Sequence, residues 1–188
     1  MALAKGVSMF SIVRDSVPGD SLLKTHRGAA HPERWGNYGD CFSVGVDGAV
    51  SLADFVFAFY TSPLFRVERL ILQILAGAPA SDGDALALAQ GSAKTFSVWY
   101  TGERTATQLL MCDRYERTRS WFQVVPLAGG RTLLQFGSAV AAAPQSATKV
   151  SRPGAVFSLL LGFHILYSQL LLSAAKSGVT KIPRRTEK

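Results

Sequence analysis

His164 and Tyr167 are the side chains whose types and spacing point most directly to chemistry. They lie three apart in AVFSLLLGFHILYSQLLLSAAK, Ala155 to Lys176, the longest apolar run of the chain. On a helix, residues three apart project from neighbouring turns of one face. A neutral imidazole near pH 7 can accept or donate a proton, and a phenol can orient a ligand through one hydrogen bond. Catalysis would also require a carboxylate or nucleophile converging on the histidine, and the sequence identifies none. The serine-hydrolase elbow GxSxG is absent, since Gly137-Ser138 in FGSAV lacks the second glycine. The expectation is a binding site, with acid–base chemistry through His164 as the alternative.

Other polar groupings lead to blander readings. His26, His31 and Glu33 fit neither a helical HxxxH pair nor a zinc ligand set, so a polar loop and no metal are expected. Asp82-Gly83-Asp84 lacks the remaining ligands of a calcium loop. Cys41 and Cys112 have no CxxC partner and fall in predicted strands, which suits reduced thiols acting as small hydrophobes in a cytosolic protein. The run Asp113 to Arg119 is the densest charge cluster and reads as a solvated hairpin tip, with a guanidinium fork that holds an acidic headgroup or carboxylate as the alternative.

The chain has 188 residues and a formal charge of +7. That length suits one domain with a real core. The basic residues are scattered, without a nucleic-acid-binding signature, so no nucleic-acid partner is expected. No secretory signal is legible at the start, where Arg14 and Asp15 close a broken apolar stretch. The run 156–175 is about as long as a bilayer crossing, roughly 20 residues. Its polar residues gather on one stripe, however (Ser158, Gly162, Gln169, Ser173 and Lys176), as in a helix buried on the opposite side. Burial is the expectation, and membrane association through this helix is the alternative.

The elements that must position these residues follow from pattern. Residues 1–39 are broken by glycine and proline and read as irregular, with one short helix near Leu22 to Lys24. Cys41 to Val46 alternates as a strand. Ser51, with Asp54 three residues on, caps a helix that Pro63 interrupts; Ser62-Pro63 starts a second one, which Gly77 ends. Its buried stripe is predicted to be Leu64, Val67, Ile71 and Ile74, with Arg66, Glu68, Arg69 and Gln73 outside. Residues Ala78 to Ala93 read as a turn into a short helix or an irregular strand. From Lys94 the period becomes two, giving strands at Lys94–Tyr100, Thr105–Cys112, Arg119–Val125 and Arg131–Val140, joined by hairpins. Phe96, Leu109, Met111, Phe122 and Phe136 fall on the apolar face. Ser97, Trp99, Gln108, Arg119, Trp121, Gln123 and Gln135 fall on the other, largely wet one, where Trp99 and Trp121 either lie beneath the N-terminal segment or mark a dimer or partner surface.

This order is α+β: a strand, two short helices, antiparallel strands and a long C-terminal helix. It resembles the helix-grip fold of START-like lipid-transfer domains and the birch-pollen-allergen family (the SRPBCC superfamily), over roughly Gly39 to Gly178. SWFQVV, LQFGSAV and FHILYSQLL are similar to a bacterial group of uncharacterised proteins within it. The resemblance implies a curved antiparallel sheet gripping the C-terminal helix, often around a cavity. Members commonly have more strands than are readable here; the missing ones are expected in Ala78 to Ala93 or near the N-terminus. The domain is placed at residues 40–178, with a basic tail at 179–188. An apolar small molecule or lipid would bind against Phe96, Leu109, Met111, Phe122, Phe136, Leu160 and Leu171, oriented by His164 and Tyr167. No cofactor is expected; peripheral membrane contact is compatible with the basic tail.

Overall fold

The structure, a computed structural model, describes residues 11–26, 39–115, 117–140 and 155–181, with 155–164 described by backbone alone. The chain is α+β, with a seven-stranded antiparallel sheet in the order β1-β2-β7-β6-β5-β4-β3. The strands are β1 (Val13–Asp15), β2 (Gly39–Asp47), β3 (Thr95–Phe96), β4 (Trp99–Arg104), β5 (Gln108–Asp113), β6 (Thr118–Leu127) and β7 (Arg131–Val140). The helices are α1 (Leu22–Thr25), α2 (Leu52–Tyr60), α3 (Pro63–Ala76), α4 (Asp82–Gln90) and α5 (Ala155–Val179).

Local chemistry sets the helix boundaries. Ser51 and Asp54 bond each other's backbone N–H reciprocally at the start of α2, and Ser81 and Asp84 do the same for α4. Ser62 caps α3 with Pro63 in its first turn, and Gly77 closes it in the left-handed conformation. The stretch Ala78 to Ala93 therefore contains a short helix. The two strands beyond the predicted set arise elsewhere. β1 pairs with β2 near the N-terminus. The predicted strand Lys94–Tyr100 is in fact a tight hairpin: Ser97 turns the chain at φ 54°, and Phe96 pairs directly with Trp99. Residues opposite each other on paired strands share a face. Trp99 therefore lies on the apolar side with Phe96, not on the reverse side where continuous alternation places it.

Most of the core lies on the side of the sheet that carries α2 to α5. Phe42, Val44, Leu109, Met111, Phe122, Leu134 and Phe136 are buried there under Leu52, Phe55, Val56 and Phe59 of α2. Phe59 is the hub, its ring 4.8 Å from Phe122 and 4.7 Å from Phe136. α5 packs on α2, β2 and β7, burying Ser168, Leu171, Leu172, Ala175 and Val179 while Ser173 and Ser177 stay exposed. Of the predicted polar stripe, Ser173 is exposed while Gln169 and Lys176 are half-buried, and Leu166 and Leu170 are exposed beside it, so the helix is turned somewhat from the predicted facing. Gly178 makes the contact close: a Cβ there would lie 2.9 Å from the Cβ of Ala58.

The reverse face is drier than expected. Trp121 is fully buried beside Leu22, Leu23, Cys41, Leu110 and Cys112. Its Nε1 donates to Gln108 Oε1 (2.7 Å), which also accepts the Leu22 N–H (2.9 Å). α1 and the chain before it thus cover the tryptophan, one of the two outcomes the sequence left open. Gly137 allows this, because a Cβ there would meet Asp40 O at 2.8 Å and the Trp121 ring at 3.0 Å. The N-terminal segment expected to be irregular therefore supplies both a strand and a cover for the sheet.

Candidate functional site

Phe65 fixes the rotation of α3. It is buried against Phe59, Tyr60 and Phe96, and at about 100° per residue it carries Glu68, Arg69, Leu72 and Ala76 to the same inner side. All four are half-buried. The predicted stripe is therefore inverted: Val67, Ile71 and Ile74 are exposed, and Leu64 is half-buried. One buried aromatic and one ion pair outweigh the aliphatic stripe. Arg69 reaches Asp82 at the start of α4 (2.7 Å), and Arg66 binds the other oxygen of the same carboxylate. Asp82 bears a burial penalty, which the two guanidinium groups more than offset, so its carboxyl sits below the ordinary range.

The inversion brings Glu68 to α5, where Tyr167 donates its phenolic proton to Glu68 Oε2. Burial pushes the Glu68 carboxyl above its ordinary range, partly opposed by that hydrogen bond. Burial raises the Tyr167 phenol too, and the neighbouring carboxylate adds to the shift. Tyr60, fully enclosed, is raised by burial and then by Glu68. The pair lies on the wall of a cavity of about 190 Å³ between the sheet and helices α2, α3 and α5. Phe59, Tyr60, Phe65, Trp99, Phe136 and Leu171 supply most of its apolar wall, and Ser168 and the β6 and β7 ends complete it. A mainly apolar cavity with a few oriented polar groups is the usual make-up of a small-molecule site.

A larger void of about 340 Å³ runs between α2 and the C-terminal end of α5. Among the described residues its wall holds no carboxylate or phenol. The Thr61 and Ser177 hydroxyls on its wall already donate to the carbonyls of Phe57 and Ser173. We therefore place the candidate site at the smaller cavity.

Of the predicted site residues, the structure brings Tyr167, Phe136 and Leu171 together on that wall. Phe96, Leu109, Met111 and Phe122 are not on it; they are fully packed core beneath the aromatic side chains of α2 and α3. Leu160 and His164 belong to α5, but their side chains lie outside the described residues. Glu68 is the residue that pattern reading missed. The signal for it was the aromatic at Phe65, three residues before it, which sets the inward side more strongly than the isolated aliphatic positions.

Among the described residues no helix is long and apolar enough to cross a membrane. The sequence matches no family model, and no curated protein matches it. Among solved structures it is similar to a conserved protein of unknown function from Enterococcus faecalis, with 12% identity over 82% of this chain and 81% of that one and a TM-score of 0.37. A likeness at that level carries no argument about this chain.

Proposed function

We propose that this protein binds a small, mainly apolar molecule in the cavity between sheet and α5, with the polar end of the ligand at Glu68 and Tyr167. The observation that carries the reading is the convergence of a half-buried, hydrogen-bonded carboxyl–phenol pair on an aromatic-walled void of about 190 Å³. That volume is below the roughly 300 Å³ at which drug-sized sites begin. It suits a single ring or short acyl chain, not a whole phospholipid. Placement of α5 against β2 and β7, which are neighbours in the sheet, supports a START-like helix-grip arrangement. Two buried thiols, Cys41 and Cys112, support a reducing, cytoplasmic setting.

Native mass spectrometry of protein purified from its host tests the reading. A bound apolar species of low mass is expected in the wild type and its loss in Phe136→Trp, which fills the void. A ligand-free wild type that also fails to take up small aromatic or short-chain acids in calorimetry would retire the proposal.

A second reading, acid–base chemistry on such a ligand, is favoured by the raised Glu68 carboxyl, since a carboxyl shifted toward neutrality is suited to proton transfer. The proton would pass through Glu68, with Tyr167 orienting it, while any part for His164 is an addition. Glu68→Gln should then lose turnover far more than it loses ligand binding. Equal loss of binding and turnover would leave binding alone.

A further inference from the structure

The outer face of α3 is the largest feature that neither the core nor the cavity accounts for. A helix in a folded domain normally turns its apolar stripe inward. α3 turns Glu68 and Arg69 inward and leaves Val67, Leu70, Ile71, Ile74 and Leu75 outside, with Ile74 71% and Leu75 80% exposed. Scattered surface aliphatics need no explanation, but several on one helix face mark a contact surface. α5, which touches α3, adds exposed Leu166 and Leu170 one turn apart.

The border of this face is cationic and aromatic at one end, while at the other Arg66 and Arg69 share the Asp82 carboxylate. At the C-terminal end of α3, Arg114 in the β5–β6 turn reaches the carbonyl of Ala76 (3.5 Å). Tyr115 beside it is 59% exposed, with the Arg114 and Arg117 guanidinium carbons 4.9 Å and 5.7 Å from its ring centre. The one acidic group of the turn within the described residues, Asp113, points into it and accepts the backbone N–H groups of Tyr115, Arg117 and Thr118. Arg114 and Arg117 are both exposed; the turn's other acidic residue, Glu116, lies outside the described residues.

We infer that this face docks on the surface of an anionic lipid bilayer. α3 lies along the interface with its aliphatic side chains below the headgroups. Tyr115, Arg114 and Arg117 sit at headgroup level, where aromatic rings and guanidinium groups partition and anionic lipid attracts basic residues. Charge favours lipid over a second copy of the chain, since each copy carries a formal +7 and two copies would repel where an anionic surface attracts. The inference is independent of what the cavity holds.

The test is flotation of the full chain with vesicles of equimolar phosphatidylglycerol and phosphatidylcholine, and with phosphatidylcholine alone. The wild type is expected to float with the anionic vesicles and at least tenfold less with the neutral ones, and to be released by salt as screening shortens the reach of its charges. Ile71→Gln/Ile74→Gln/Leu75→Gln should lose vesicle binding at least tenfold with an unchanged circular-dichroism melt. Arg114→Gln/Arg117→Gln should lose it several-fold, on anionic vesicles only. Three outcomes would overturn the inference. One is no binding by the wild type; another is binding that both variants retain. The third is a wild-type dimer that the triple variant converts to monomer with no vesicle binding by either, which would make the face a contact between copies. A triple variant that melts early on a wild type that does not float would instead show that the face is covered within the chain, and would overturn it equally.

Discussion

Tyr167 on α5 donates its phenolic proton to Glu68 on α3, so a hydrogen bond joins two helices 99 residues apart in sequence at the wall of the cavity. Any slip of α3 by one residue would carry the carboxyl away and leave a half-buried phenol without that acceptor. Leaving such a group unsatisfied costs about 1–3 kcal/mol. Tyr167→Phe, which removes the donor and keeps the ring, is expected to lower the unfolding free energy by about 1–2 kcal/mol in urea denaturation. An unchanged midpoint would mean that solvent already serves the carboxyl.

The raised Glu68 carboxyl gives a pH signature with a definite sign. The folded state holds this proton more tightly than the unfolded chain does. The resulting stabilisation is fully present below the unfolded carboxyl's pKa and is lost as pH climbs through the raised folded value. Glu68→Gln, neutral at every pH, should remove this component. Urea midpoints measured across the acid-to-neutral range should fall less steeply with rising pH in the variant. Above the window the variant should be the more stable of the two. Parallel profiles would place Glu68 in solvent.

Cys41 is expected to be inert in the folded protein. Burial, followed by the charges of Asp15 and Asp40, pushes its thiol up to about 12. At pH 8 almost none is thiolate, the form that reacts. Iodoacetamide should leave Cys41 unmodified in native buffer and label it in urea, as read by peptide mass spectrometry. Rapid native labelling would show that the reverse face opens.

The capped helices and the hairpin strands were legible because their signals are local: Ser51 with Asp54, Ser62 with Pro63, and Gly77 each act within a turn of the chain. α5 was legible in part, because Ser173 is exposed opposite the buried Leu171, while Gln169 and Lys176 of the same stripe are half-buried. The errors occur where a distant partner decides. α3 looks amphipathic in the wrong sense until Phe65 finds the aromatic cluster and Arg69 finds Asp82. Ser97 is a non-glycine residue at positive φ, an uncommon choice that hides a turn inside an apparent strand. The cavity depends on the gap left between α3, α5 and the sheet, and no spacing along the chain encodes a gap.

The N-terminal segment should behave as part of the fold. Gln108 Oε1 accepts from both Trp121 and Leu22, so the sheet and α1 share one acceptor. Removing residues 1–26 should expose Trp121, Leu110 and Cys112 together, shift tryptophan emission to the red and lower the melting temperature. Trp121→Phe, which removes the indole donor and leaves part of its ring volume empty, should cost about 1–3 kcal/mol. Identical melts for the truncated and full-length chains would show that the reverse face needs no cover.

Gly178 offers the sharpest test of how α5 sits on α2, because two effects of one substitution oppose each other. Gly178→Ala raises helix propensity by about 1 kcal/mol. It also places a methyl 2.9 Å from the Cβ of Ala58, and 3.5 Å from its Cα. These atoms belong to or adjoin backbone and cannot swing aside as the tip of a long side chain would. Overpacking of this kind costs about 1–3 kcal/mol, so the substitution is expected to destabilise the protein on balance. Ala58→Gly alone should also destabilise, through lost packing and helix propensity. Together the two should be less damaging than the sum of the singles, since the added methyl then occupies the space of the deleted one. A double-mutant cycle in urea reads that coupling directly. Additive effects would mean that α5 already stands off from α2, and the wall it lends to the cavity would then lack its support.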